Sequence, residues 1–129
     1  MPRMTPFVKG MLIASVVGLL AYLGLKSAGF NLAAVLGFVP ARVLDLWLWQ
    51  PFTYVLLHGS LLHLLFNGLI LWSLGSELEA GWGTKLFGVY WVVCGLGAAL
   101  TYGIFSVIGI GPGPVEPVIG SSGAVYGLL

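Results

Sequence analysis

The stretch LLHGSLLHLLFNGLILW, Leu56 to Trp72, decides the fold of this chain. It is apolar enough for a helix buried in protein or immersed in lipid, yet His58, His63 and Asn67 interrupt it. The rest of the sequence says which solvent surrounds it. Of 129 residues 59% are hydrophobic and only 7% are charged, where a soluble domain carries about 25% charged residues. The chain belongs in a lipid bilayer.

Polar side chains at membrane depth face a bundle interior or a wet cavity, so the three interruptions are candidates for chemistry. His63 and Asn67 stand four residues apart and share one helix face. His58 lies five residues before His63, off that face and where the loop meets the helix. The two histidines therefore make a poor metal site, and no carboxylate or cysteine stands beside them to complete one, so neither metal nor cofactor is expected. The single cysteine, Cys94, sits inside an apolar run and reads as a small packing residue, with no disulfide framework to join. A net charge of +1 from scattered cations excludes a nucleic-acid partner.

Outward from this stretch the chain divides into four apolar blocks. Residues 10–30 form a first span, because Gly10 to Leu25 is uncharged and Ser27 to Phe30 extend it to the roughly 20 residues required. A signal peptide is the rival reading, with Arg3 and Lys9 as its basic start and Ser27 and Gly29 as small residues near a cleavage point. Between residues 31 and 58, Pro40 and Pro51 break the pattern and Arg42 and Asp45 carry charge. Trp47, Trp49, Phe52 and Tyr54 crowd together there, which predicts a loop in the membrane interface with short helical pieces. The second span covers 61–76 and is closed by Glu77, Glu79 and a Gly81-Trp82-Gly83 turn. The third covers 86–108, its glycines allowing close backbone approach. A connector rich in glycine and proline, Gly111 to Pro117, then leads to a fourth block.

That fourth block is IGSSGAVYGLL, Ile119 to Leu129. From Ser121 onward a helix would rise about 13 Å of the roughly 30 Å hydrocarbon core, so only part of a span is present. Ser121 reads as a helix N-cap. Ser122 falls in the first turn, where unpaired N–H groups can stabilise an oxyanion, and Gly120 and Gly123 clear its flanks. Gly123 and Gly127 also form a G-x-x-x-G face suited to helix contact. The pattern differs from the G-x-S-x-G elbow of soluble hydrolases. Weighing basic residues, Arg3, Lys9 and Lys85 on one side against Lys26 and Arg42 on the other, places the N-terminus in the cytoplasm.

Together, HGSLLHLLFN, then Glu79 and Gly83, then GSSGAVY resemble the rhomboid family of intramembrane serine proteases, from about Leu46 to Leu129. They match that family's H-x-x-x-N and G-x-S-G signatures in order and spacing. The resemblance implies an all-α polytopic bundle with six core helices, of which residues 1–129 would supply about four as a single, incomplete domain. Ser122 would be the nucleophile, with its own N–H, His63 and Asn67 stabilising the oxyanion. Tyr126 would stack on a histidine base carried by the sixth helix, and Glu79, Gly83 and Gly127 would be structural. Gln50 departs from the pattern, since many members carry an arginine after the loop tryptophan, and this makes loop anchoring an open question.

From the residues alone, with only His58 and His63 on offer, the general base would be His63; the resemblance moves it to the oxyanion hole. The two roles stay open here. The substrates implied are transmembrane segments of other membrane proteins, and the membrane implied is a bacterial inner membrane. A proteolytically inactive adaptor that binds client helices is the alternative. A pore is the weakest reading, since few ionisable groups lie in the spans. Residues 1–129, with no base helix, are expected to be catalytically silent.

Overall fold

A computed structural model describes residues 1–129, and it is helical throughout. The first span is α1 (Pro6–Ser27), followed by three short helices, α2 (Leu32–Leu36), α3 (Pro40–Leu44) and α4 (Gln50–Thr53), and a 3-10 turn at Tyr54–Leu56. The second span is continuous from Leu61 to Trp82. Within it, α5 (Leu61–Ile70) passes through a π-helical turn (Leu71–Gly75) into α6 (Ser76–Trp82). The third span is α7 (Thr84–Val107), and the chain reaches α8 (Ser122–Tyr126) through a long irregular connector. Three helices are thus long and apolar enough to cross a membrane. Their outward residues, among them Val17, Leu20, Leu65, Phe66, Val93 and Leu100, are exposed large hydrophobics. Such a surface is stable only against hydrocarbon, and the protein is integral to a membrane.

Glu79 corrects the expected end of the second span. It is not in a closing turn but in α6, only 2% exposed, and the helix runs on until Gly83. Its carboxylate accepts from the Phe7 and Val8 backbone N–H groups at 3.0 and 3.1 Å, from Thr84 Oγ1 at 2.7 Å and from Thr5 Oγ1. Pro6 starts α1, and the orphan N–H groups of its first turn are capped by a carboxylate from another helix. Four donors on one carboxylate offset the cost of burying it. The starts of α1 and α7 are thereby held together at one membrane face. Gly83 makes the corner between α6 and α7 with φ +85° and ψ 153°, a conformation that costs residues other than glycine about 1–3 kcal/mol.

The π turn explains how one helix buries polar groups at both ends. Asn67, Leu71, Gly75 and Glu79 are all buried at a strict spacing of four. In a plain α-helix each such step rotates about 40° too far, so Glu79 would leave the face that Asn67 occupies. The wider turn absorbs the drift. Ser73 Oγ donates to the Leu69 and Ile70 carbonyls at 2.9 and 3.3 Å, giving backbone acceptors at the distorted turn a partner inside the bilayer.

The main core joins all three spans to the last helix: Val8, Leu71, Phe87, Trp91, Ala124, Val125 and Leu128. A smaller cluster of Phe38, Tyr54, Val55 and Ala99 fixes residues 31–58 against α7. That segment contains the expected short helices, and its anchoring is now explained. Gln50 is fully buried: its Oε1 accepts from Val39 N–H at 3.1 Å, and its Nε2 donates to the Ala34 and Val35 carbonyls at 3.2 Å. A neutral amide thus clamps the loop. Arg42 adds a bond to the Ala34 carbonyl at 2.8 Å, with its guanidinium 4.3 Å from the Trp47 ring. The aromatic residues divide, contrary to a uniform interfacial reading. Trp49 and Phe52 are exposed, whereas Tyr54 is buried.

Candidate active site

Three pieces of backbone meet at the start of α8. Phe38 and Val118 exchange hydrogen bonds of 2.9 Å, pinning the end of the connector to the loop segment. The next anchor is Gly120, whose N–H donates to the Tyr54 carbonyl at 2.9 Å. The Tyr54 hydroxyl in turn donates to the Gly95 carbonyl of α7 at 2.6 Å. Burial pushes the Tyr54 phenol up to about 12, so it remains a donor at any physiological pH. Tyr54 therefore braces the serine turn against the third span, a role the sequence concealed because the residue was one aromatic among several.

The turn itself is floored by an imidazole. Gly120 adopts φ +113°, and a Cβ placed there would stand 2.6 Å from His63 Cε1 and 2.8 Å from His63 Nε2. The imidazole of His63 thus lies directly on the Gly120 backbone, two residues before Ser122. Only glycine permits both the backbone angle and this approach. Asn67, one turn further along α5, is 7% exposed and donates from Nδ2 to the His63 carbonyl at 2.9 Å. A carbonyl can only accept, which fixes the amide orientation and leaves the second Nδ2 hydrogen for another acceptor. Around Ser122, the first backbone N–H of α8 to bond within the chain is that of Val125, to the Ser121 carbonyl at 2.8 Å, so those of Ser122, Gly123 and Ala124 remain free.

Ser121 departs from its expected role. Its backbone angles are φ −83° and ψ 0°, outside the extended conformation of an N-cap, and its side chain makes no capping bond. Instead Ser121 Oγ lies 3.2 Å from His58 Nε2. The capping serine is Ser60, whose Oγ accepts from the His63 N–H at 3.1 Å and starts α5. The segment Ser60-Leu-Leu-His63 carried that signal, since a serine before an apolar run is an N-cap pattern. His58 is fully buried and its ring centroid is 5.0 Å from that of His63, edge to face. Ser122 is half-buried, and Tyr126 is exposed.

Gly123 and Gly127 face α7, where Cβ atoms would strike Ala98 and Cys94 respectively. The close-contact face is thus used by the third span, and the Tyr90 hydroxyl bonds the Gly127 carbonyl beside it. Cys94 serves as a packing residue there. No group of three His, Cys, Asp or Glu side chains is placed to hold a metal ion. The apolar cavity of about 470 Å³ between the loop segment and α7, lined by residues such as Phe38, Val43 and Ala99, includes none of His58, His63, Asn67, Ser121 or Ser122.

His58 gives a pH prediction. In the loop before the second span, burial and then the charge of neighbouring His63 push its imidazole down to about 4, with the Leu56 backbone acting weakly the other way. The unfolded imidazole takes up its proton near about 6.5, so the folded state favours the neutral form. The stabilisation is complete above about 6.5 and is lost as pH falls toward 4. Thermal unfolding in detergent at pH 7.5 and pH 5 should show a larger loss of stability for the wild type than for His58→Gln. Equal losses would exclude His58 as the source.

A family profile described as Rhomboid domain matches residues 46–129, well over half of the chain. The chain is 35% identical over 81 residues to RHOMBOID-like protein 1 of Arabidopsis thaliana, covering 63% of this chain and 19% of that one. It is 32% identical over 81 residues to Rhomboid protease GluP of Bacillus subtilis, covering 63% of this chain and 14% of that one. With Rhomboid protease GlpG of Yersinia pestis the identity is 33% over 89 residues, 69% of this chain and 28% of that one. The chain thus spans less than a third of the length of each of these relatives.

Proposed function

The chain belongs to the rhomboid family, and on that premise we propose that the whole protein is an intramembrane serine endopeptidase with Ser122 as its nucleophile. The observation that carries this reading is the His63 imidazole lying on Gly120, beside a partly accessible serine whose neighbouring N–H groups are free. In the reaction, Ser122 Oγ attacks the scissile carbonyl and gives its proton to a general base. The negative oxygen that forms accepts from the Ser122 N–H, an N–H of His63 and the free Nδ2 hydrogen of Asn67. Collapse breaks the peptide C–N bond, the base returns the proton to the leaving amine, and water then hydrolyses the acyl ester.

The base is a histidine outside residues 1–129. Of the two histidines here, His58 is buried against Ser121, and this reading assigns His63 to the oxyanion side. Tyr126, on the same helix face as Ser122 and exposed, is free to stack on the incoming imidazole. The substrate is a transmembrane segment that unwinds locally to present its backbone, because a helical peptide bond is already hydrogen-bonded within the bilayer. In a bacterial inner membrane with the N-terminus cytoplasmic, Ser122 would work from the outer side.

The test is reconstitution of the full-length protein with a reporter transmembrane substrate, together with labelling by a fluorophosphonate. Cleavage with labelling supports the reading. Binding of the substrate helix with neither cleavage nor labelling would replace it with the adaptor function.

A further inference from the structure

We propose that His58 and Ser121 form a positioning pair that sets the distance between the nucleophile turn and the oxyanion donor. This deepens the protease reading and rests on it. His58 touches both halves of the site. Its Nε2 is 3.2 Å from Ser121 Oγ, the residue that immediately precedes the nucleophile. Its ring meets the ring of His63 edge to face, with centroids 5.0 Å apart. His63 in turn rests on Gly120, the residue that precedes Ser121. The four residues close a loop of contacts: Gly120 to His63, His63 to His58, His58 to Ser121, and Ser121 back through the chain to Gly120.

The pair itself cannot be the reacting dyad, although it is a serine on a histidine. His58 is 0% and Ser121 3% exposed, so no substrate carbonyl reaches either, and Ser121 lies beneath the turn that presents Ser122. What the pair supplies is rigidity. The connector that delivers the serines is irregular from Gly109 to Gly120, and α8 is a single short helix. Such a segment holds a nucleophile in place only if something fixes its first residues. Tyr54 fixes Gly120 through the backbone; His58 fixes Ser121 through its side chain, from the same loop that carries Leu57 into the second span. The two tethers hold successive residues of the turn.

The hydroxyl of Ser121 is also the atom that local helix-start rules would assign to a cap. A cap would tie Ser121 to its own helix and leave the turn free to move as a unit. A bond to His58 instead ties the turn to the loop and, through the ring contact, to the helix bearing His63 and Asn67. Loss of this bond should therefore disturb the relation between nucleophile and oxyanion donors, which matters in the transition state more than in substrate binding.

The experiment uses the full-length protein in proteoliposomes with Ser121→Ala, Ser121→Thr, His58→Gln and His58→Leu. Ser121→Ala removes one oxygen and is expected to lower kcat about three- to tenfold with KM nearly unchanged, the scale of one neutral hydrogen bond. Ser121→Thr keeps the hydroxyl, and His58→Gln keeps a polar atom near the position of Nε2; both should recover part of kcat. His58→Leu should reproduce the Ser121→Ala loss, and the double variant Ser121→Ala with His58→Leu should be no worse than either alone, because both remove the same bond. An unchanged kcat in Ser121→Ala, or additive losses in the double variant, would overturn the pairing. A raised KM at constant kcat would overturn it as well, placing these residues in substrate binding. These outcomes separate from failure of the protease reading: a wild-type protein that never cleaves removes the reading and the proposal together, whereas a cleaving wild type with indifferent variants removes the proposal alone.

Discussion

Ser122→Ala in the full-length protein is expected to abolish cleavage of a transmembrane substrate, a loss on the order of 10⁴ or more, and to abolish fluorophosphonate labelling. In the proposed mechanism Ser122 Oγ is the atom that forms the bond, so nothing in the site can substitute for it. Its neighbour provides the control. Ser121 is 3% exposed with its hydroxyl at His58, so Ser121→Ala should still label, more slowly, while Ser122→Ala should not label at all. The thermal stability of Ser122→Ala should stay within about 0.5 kcal/mol of wild type, since this half-buried side chain does not share the bond that holds Ser121. Loss of labelling in both variants to the same degree would mean that the turn, and not one serine, had been damaged, and the assignment of Ser122 would fall.

The broad architecture was legible because it depends on solvent. A chain with 7% charged residues leaves its apolar helices no alternative to lipid, and the order of spans follows from where charges and prolines interrupt them. The continuation of the second span to Trp82 was not legible. Glu77 and Glu79 look like the polar end of a membrane helix, and only the partners of Glu79, at Thr5, Phe7 and Val8, show that it is a buried acceptor. Those partners lie more than 70 residues away in sequence, beyond any local pattern. The π turn was hidden for a related reason: the four-residue spacing of Asn67, Leu71, Gly75 and Glu79 becomes meaningful only once all four are seen to be buried. At the site, His63, Asn67 and the serine turn stood out as polar or glycine-rich interruptions of apolar sequence. Local rules favour serine at a helix start and so point Ser121 to a cap, but a tertiary partner, His58, won the hydroxyl. Tyr54 and Gln50 carry no such signal, because they act through backbone atoms of distant residues.

Alanine at His63 or at Asn67 is expected to lower kcat about a hundred- to a thousandfold with little change in KM, the size of the effect when one oxyanion donor is removed. In the proposed mechanism both side chains meet charge that appears only after attack. Asn67 spends one Nδ2 hydrogen on the His63 carbonyl and keeps the other, and the His63 ring lies against Gly120 with Ser122 two residues on. Neither substitution removes the α5 cap, because Ser60 accepts from the backbone of His63 and not from its ring. The comparison between the two variants also decides which of two roles His63 plays. If His63 were the general base, His63→Ala would fall to the level of Ser122→Ala, since nucleophile and base act as a unit and losing either costs nearly as much as losing both. If His63 is an oxyanion donor, His63→Ala and Asn67→Ala should match each other and both should retain Ser122-dependent turnover well above background. Proteolysis by residues 1–129 alone tests the same point from the other direction: robust cleavage by that segment, dependent on Ser122, would require a base within it, and His63, whose ring is half-buried against the nucleophile turn, is the residue to which that role would pass.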